Sequence, residues 1–280
     1  MNNKTKWILQ DNIHKDDIYK MVRIMQENDI PYETVTVIPF DNNPLVTAPY
    51  NGPVIVYGST SLIKNVPQSW VWFDQETFKP SYWGNYIKEY YLNYDMEVLP
   101  LEEACSYILK FSSERFFVRP NSDLKLFSGE VFMRGDFLDW YERIKKLIET
   151  GTYVNINMDT EICISPYKAL LKEWRFFIIG QDVVAFSQYR ENGQLHKSKD
   201  FDPHAYELAR KIAKIGKWFE LAPGYVLDIA LTKDGAYEVI EFNNFNSSGF
   251  YMCDLYWIIK YASRHAEILW NNSENKEKEK

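Results

Sequence analysis

The 280-residue sequence predicts an α/β unit over residues 1–95, then an α+β block of antiparallel sheets over 96–270, with a polar tail over 271–280. Three patterns carry this. Near the N-terminus, β-branched apolar runs flank a segment of helical period, as in a small parallel sheet. Beyond residue 96, short strands come in pairs around turn residues, as in antiparallel hairpins. Segments of helical period separate those pairs.

In chain order, residues 6–9 read as a strand. Asp16 and Asp17 stand where a helix cap belongs, and Ile18, Met21, Val22 and Met25 recur at i, i+3, i+4 and i+7. Further strands fall at 34–38 and 53–57, and the aromatic-rich stretch 66–86 has no readable period. The second block opens with a helix over 101–110 and a strand over 115–119. A polar loop at 121–129, an amphipathic helix at 136–150 and a brief strand at 161–165 follow. Strands 174–179 and 183–189 turn about Gly180, Gln181 and Asp182. A helix over 203–219 carries Pro203 in its first turn, where the missing N–H costs little. A hairpin about Asp234 and Gly235 spans 224–246, and a helix covers 254–270. The tail from Asn271 is polar enough to be disordered.

Composition excludes several classes. A net charge of −7 gives a nucleic-acid partner no bulk attraction, and none is expected. The three cysteines, Cys105, Cys163 and Cys253, are far apart, with neither metal spacing nor a disulfide framework, which fits a reducing cytoplasm. No apolar run approaches the ~18 residues of a membrane span, so no membrane partner is expected. The N-terminus lacks a signal-peptide pattern. The four histidines are scattered and make no zinc pattern.

The last hairpin is the sharpest chemical signal. If Asp234 and Gly235 alone form the loop, Lys233 pairs with Ala236, and Asp228 falls opposite Glu241. A period of two brings Asn243 to the same face. Facing carboxylates repel, so a cation between them would explain the pattern. A hard ion with oxygen ligands, Mg²⁺ above all, suits Asp228, Glu241 and Asn243. The competing arrangement pairs Asp228 with a lysine and leaves Asn243 to start a turn. Ser247, Ser248 and Gly249 form either an anion-binding backbone nest or a plain loop.

Basic groups supply a second signal. Arg119 ends an aromatic strand and Lys125 sits in the following loop. They form either a phosphate clamp or two surface charges. Arg175 lies on a strand apolar on both faces, so its charge needs an acid or a bound anion. A two-residue turn puts Arg175 and Arg190 on one face, as if around a triphosphate, whereas a three-residue turn separates them. Alternatively, Glu173 pairs with Arg190. Neither a P-loop nor a dinucleotide-binding glycine motif is present, which leaves basic side chains and a carboxylate-held Mg²⁺ as tools for phosphate chemistry.

Taken in order, Phe117, Val118, Arg119 and Pro120 with Lys125, then Glu173 to Phe177, Ser187 to Arg190, Leu227 and Asp228, and Ile240 to Phe245 resemble the ATP-grasp fold. More narrowly, they resemble its clade named for two arginines and a lysine, which includes bacterial and phage proteins and a eukaryotic cell-division-cycle assembly factor. The resemblance covers about residues 96–255 and implies two antiparallel subdomains, 96–160 and 161–270, gripping ATP after a small α/β domain. It implies that Arg119 and Lys125 hold phosphates from one subdomain and Arg175 and Arg190 from the other. Arg119 stands where ordinary ATP-grasp enzymes place lysine. It further implies that Glu161, Cys163 and Ile164 meet adenine through a hinge backbone, that Glu173 lies near the ribose, and that Asp228, Glu241 and Asn243 bind Mg²⁺. The implied function is carboxylate–amine ligation through an acylphosphate, on a peptide or protein, with Lys125, Arg175 and Arg190 as catalytic groups. The alternative is an ATP-binding assembly chaperone that does not ligate. Replacing Asp228 or Glu241 by Ala is expected to weaken ATP·Mg²⁺ binding and leave the fold intact. With ATP·Mg²⁺ at about 100 times its dissociation constant, thermal or denaturant unfolding should report nearly 3 kcal/mol of added stability. An unchanged transition would favour a structural protein without a nucleotide.

Overall fold

The computed structural model describes residues 4–38, 45, 47–152 and 154–278. Its first sheet holds β1 (Lys6–Gln10), β2 (Tyr32–Val35) and β3 (Val54–Tyr57), with α1 (Lys15–Glu27) crossing between β1 and β2. The strands are parallel in the order β2-β1-β3. Asp16 and Asp17 lie in the first turn of α1, where negative charge suits the helix dipole, but the cap position is His14. After α2 (Thr60–Lys64) comes a run of turns holding α3 (Pro80–Trp83), which was unreadable because its aromatics follow tertiary packing. Phe78, Trp83, Ile87 and Tyr91 from this stretch are buried in the core of the third sheet.

The second sheet contains β4 (Glu97–Pro100), β5 (Arg115–Pro120), β6 (Glu130–Met133) and β7 (Glu161–Pro166), antiparallel in the order β4-β7-β5-β6. Helices α4 (Leu101–Ile108) and α5 (Arg134–Glu149) contribute Leu101, Ala104, Ile108, Phe137 and Tyr141 to the core on one face. Alternation along β5 sends Phe116 and Val118 into that core. Arg115, Phe117 and Arg119 are left for the opposite face.

The third sheet is the largest: β8 (Leu170–Ile179), β9 (Asp182–Glu191), β10 (Gln194–Ser198), β11 (Gly224–Thr232) and β12 (Tyr237–Asn244), in the order β10-β9-β8-β11-β12. Strand β10 has no apolar alternation and was not expected. One face packs Trp174, Phe176, Ile178, Leu227, Ile229 and Phe242 with Ala205, Ala209 and Ile212 of α6 (Pro203–Ile215). The other face is divided. Phe177, Ile179 and Val226 join a core with α1, the first sheet and α7 (Leu255–Lys278), while Glu173, Arg175, Asp228 and Glu241 continue the same face beyond it. Helix α7 runs past the expected end at Trp270, so residues 271–278 are helical instead of a disordered tail. Their Glu and Lys residues are good helix formers.

Two turns set the register. Ile179 pairs with Asp182, so β8 and β9 are joined by the two residues Gly180 and Gln181. Two register shifts along this pair then bring Arg190 opposite Glu173 and Ser187 opposite Arg175. The last hairpin departs from expectation. The Thr232 N–H donates to the Ala236 carbonyl (2.9 Å), which makes a three-residue loop of Lys233, Asp234 and Gly235, with Gly235 at φ 89°. That loop alone would offset the pairing by one. A bulge between Asp228 and Ile229, with Ile240 as the extra residue, restores it, and Asp228 does face Glu241.

Asn246 joins the first sheet to the third. Its side-chain amide donates to Val56 O (2.6 Å), its Oδ1 accepts from Trp72 N (2.8 Å), and its carbonyl accepts from Gly58 N (2.8 Å). Asn246→Ala strands two buried backbone groups. Urea unfolding should show a loss of about 2–4 kcal/mol, from roughly 1–3 kcal/mol per unsatisfied group.

Candidate functional site

The second and third sheets face each other across a cleft of about 880 Å³. From the second sheet, β5 presents Arg119, and the 121–129 loop presents Asp123 and Lys125. From the third, β8 and β9 present Glu173, Arg175 and Arg190, and β11 and β12 present Asp228, Glu241 and Asn243. Tyr167 to Leu171, from the connection after β7 into the start of β8, also line it.

The acids and bases interlock. Arg175 grips Asp228 with both arms of its fork, Nε to Oδ1 at 2.9 Å and Nη2 to Oδ2 at 2.7 Å, and Nη1 donates to Gly249 O at 3.1 Å. The acid that Arg175 requires is therefore Asp228. Arg119 Nη1 lies 2.8 Å from Glu241 Oε2, a pair that spans the two sheets. Asn243 Nδ2 donates to Asp228 Oδ2 at 3.2 Å. Glu173 accepts from the Tyr189 hydroxyl at 2.7 Å and lies 3.7 Å from Arg190. Guanidinium groups thus meet the carboxylates that were expected to repel. Burial pushes the Asp228 carboxyl up, against the pull of Arg175. For Glu241, burial acts upward but is outweighed by Arg119 and Arg175, and its carboxyl sits below the usual range. Burial raises Glu173, against Tyr189 and Arg190.

The donor set suits Mg²⁺, which favours one or two carboxylates and leaves places for phosphate and water. Asp228 and Glu241 are direct cross-strand partners, and Asn243 donates through its amide nitrogen, leaving the amide oxygen as a third ligand. No cluster of three or more His, Cys, Asp or Glu residues with metal geometry occurs among the described residues.

Glu161, Cys163 and Ile164 do not line the cleft. Strand β7 is the inner strand between β4 and β5, so its backbone groups are spent on both ladders. Ile164 is buried in the core of the far face, and Cys163 Sγ sits 3.6 Å from Asn121 Oδ1. Ser247 and Ser248 are also committed. Ser247 N and Oγ donate to Asn244 Oδ1 and Ser248 Oγ to Asn244 O, so the run is a capped turn.

Three residues were missed. Tyr189 and Tyr251 stack at 4.8 Å between ring centroids, with the Arg175 guanidinium 5.0 Å from the Tyr251 ring. Asp123 is buried, and Asn244 N and Nδ2 both donate to its Oδ2 at 2.7 Å. Burial raises its carboxyl to about 6, against those two bonds. Within the sequence, Asn121 to Asp123 read only as a polar loop.

Two antiparallel sheets that close basic and acidic side chains between them define the grasp class of nucleotide-binding folds. The chain belongs to the ATP-grasp domain family, specifically to family 3 of the clade named for two arginines and a lysine, whose profile matches residues 40–261. That match begins inside the unit drawn at 1–95 and so crosses the boundary expected there. The fold is similar to D-cycloserine synthetase DcsG, with TM-score 0.59 and 11% identity over 96% of this chain and 99% of that one. It is similar to the ATP-grasp ligase PsnB complexed with precursor peptide PsnA2 and AMPPNP, with TM-score 0.57 and 10% identity over 95% and 98%. It is also similar to the macrocyclase MdnC of Microcystis aeruginosa bound with precursor peptide MdnA, with TM-score 0.52 and 12% identity over 96% and 99%. No curated protein matches the sequence. No helix among the described residues is long and apolar enough to cross a membrane.

The buried Arg175–Asp228 pair corrects the expectation that Asp228→Ala leaves the fold intact. Removing Asp228 strands a buried guanidinium and should cost about 3–5 kcal/mol in urea unfolding. Glu241→Ala likewise strands Arg119, whose side chain is as buried as that of Arg175, and should cost a comparable amount.

Proposed function

We propose that this protein is an ATP- and Mg²⁺-dependent ligase that activates a carboxylate as an acylphosphate and joins it to an amine on a peptide or protein. The observation that carries the reading is the convergence of Arg119, Lys125, Arg175 and Arg190 with Asp228, Glu241 and Asn243 in one cleft between two sheets. Its volume of about 880 Å³ suits a nucleotide with part of an acceptor.

In this reading the base lies between Phe117, Val131 and Ile240, with its edge toward the segment from Tyr167 to Leu171. Glu173 faces the ribose. Arg190 and Lys125 are exposed in the cleft and meet the phosphates from opposite sheets. Arg175 spends three of its five donors on Asp228 and Gly249, which leaves two for phosphate oxygen. Asp228, Glu241 and Asn243 hold Mg²⁺, which supplies charge neutralisation on the phosphates. For that, Arg119 must turn from Glu241 to phosphate.

The chemistry is a double displacement. An acceptor carboxylate oxygen attacks the γ-phosphorus, the bond to the β-phosphate oxygen breaks, and ADP leaves. The amine nitrogen then attacks the acyl carbon, phosphate departs and the nitrogen loses a proton. The protein's part is to position reactants and neutralise charge, which suits a site with no nucleophile–base pair. The 121–129 loop, which lines the cleft, would help keep water from the acylphosphate. Two structural relatives are captured with precursor peptides, which supports a peptide acceptor. Three free cysteines fit a cytoplasmic site of action.

Purified protein with ATP, Mg²⁺ and cell extract should release ADP steadily and only when acceptor is present. Glu241→Ala and Lys125→Ala should each lower kcat/KM for ATP by roughly 10²-fold, from loss of charge stabilisation. Tight ATP binding without turnover would instead identify a binding module.

A further inference from the structure

The 121–129 loop belongs to the second sheet, yet one of its residues is bound to the third. Asp123 is 3% exposed, and its Oδ2 takes the backbone N–H and the side-chain amide of Asn244, each at 2.7 Å. Asn244 follows Asn243 at the end of β12. Lys125 lies two residues after Asp123, in left-handed backbone at φ 53°. A lysine adopts that conformation only where its surroundings impose it. The start of the loop is fixed separately, with Asn121 Nδ2 donating to Ser81 Oγ at 2.8 Å and to Glu161 Oε2 at 3.1 Å.

We propose that Asp123 is a positioning residue, a latch that holds the Lys125 loop against the strand carrying Glu241 and Asn243. Two bonds from Asn244 to one carboxylate oxygen tie this point of the loop to the end of β12. Lys125 stands two residues from Asp123, and Asn243 and Glu241 stand one and three residues from Asn244, so the latch sets the distance across which they share a phosphate. Arg119 and Glu241 form the only ion pair between the two sheets in the cleft among the described residues. That pair must open to admit a nucleotide, whereas the Asp123 latch can stay closed. The consequence for ATP rests on the function proposed above; the latch itself is a property of the chain alone.

The test uses Asp123→Ala and Asp123→Asn in the full chain. Both bonds fall on one oxygen, so the Asn variant keeps an acceptor for them while losing the charge and turning the second oxygen into an N–H donor. Amide exchange over residues 121–129, measured without nucleotide, should speed up about tenfold in the Ala variant and less in the Asn variant. The ATP·Mg²⁺ dissociation constant should rise about tenfold in the Ala variant. Adding Lys125→Ala to it should weaken binding by less than the product of the single effects, because both act through one side chain. Unchanged loop exchange in both variants, or independent effects in the double variant, would overturn the latch. If the Ala variant does not fold, the Asn variant decides by the same exchange measurement. A parent protein that binds no ATP would defeat the nucleotide reading, and loop exchange would still decide the latch.

Discussion

The Arg175–Asp228 pair is the constraint around which the third sheet is arranged. Two opposite charges sit on adjacent central strands with their side chains almost wholly out of water. Such a pair is tolerable only when both arms of the guanidinium fork are satisfied and the remaining donors find partners. Bidentate contact to Asp228 and the Gly249 carbonyl meet that demand. It also fixes what lies beside it. Ser187, Arg175, Asp228 and Glu241 form one row across four strands, and that row must coincide with the end of the apolar face that begins at Phe177 and Val226. A register slip on either side would push Asp228 into the apolar core of the opposite face.

Seen from that row, the cleft is what remains when one sheet face is longer than the domain packed against it. The first sheet and α7 cover Phe177, Ile179 and Val226 and reach no further. The uncovered part is polar, and the second sheet faces it with Arg119 across the gap. Each wall is thus the polar half of a strand alternation whose apolar half is a core. Arg119, Arg175 and Arg190 stand on strands of these ladders, whereas Lys125 stands on a loop.

Much of this was legible in local pattern. The convergence of Asp228, Glu241 and Asn243 followed from period two and a hairpin signal, although the loop has three residues and the register survives only through the Ile240 bulge. Bulges leave no mark in hydrophobic alternation, so the right pairing was reached by a wrong turn. The partners of Arg175 and Glu241 were not legible, because one is set by a third strand and the other by a second sheet. Glu161, Cys163 and Ile164 were misplaced for a related reason: a short strand in sequence does not reveal whether both its edges are paired. Asp123 was invisible because its partner lies on a distant strand.

The segment from Asn243 to Asn246 has one more consequence. Within four residues, Asn243 binds Asp228, Asn244 binds Asp123 and Asn246 binds the first sheet, each through a side-chain amide pointing a different way. Three parts of the molecule are therefore indexed to one short stretch by counting residues. An amide exchanged for another small polar group would disturb one address. Inserting or deleting a single residue would misdirect all of them at once, so the length of this stretch should prove less negotiable than its composition.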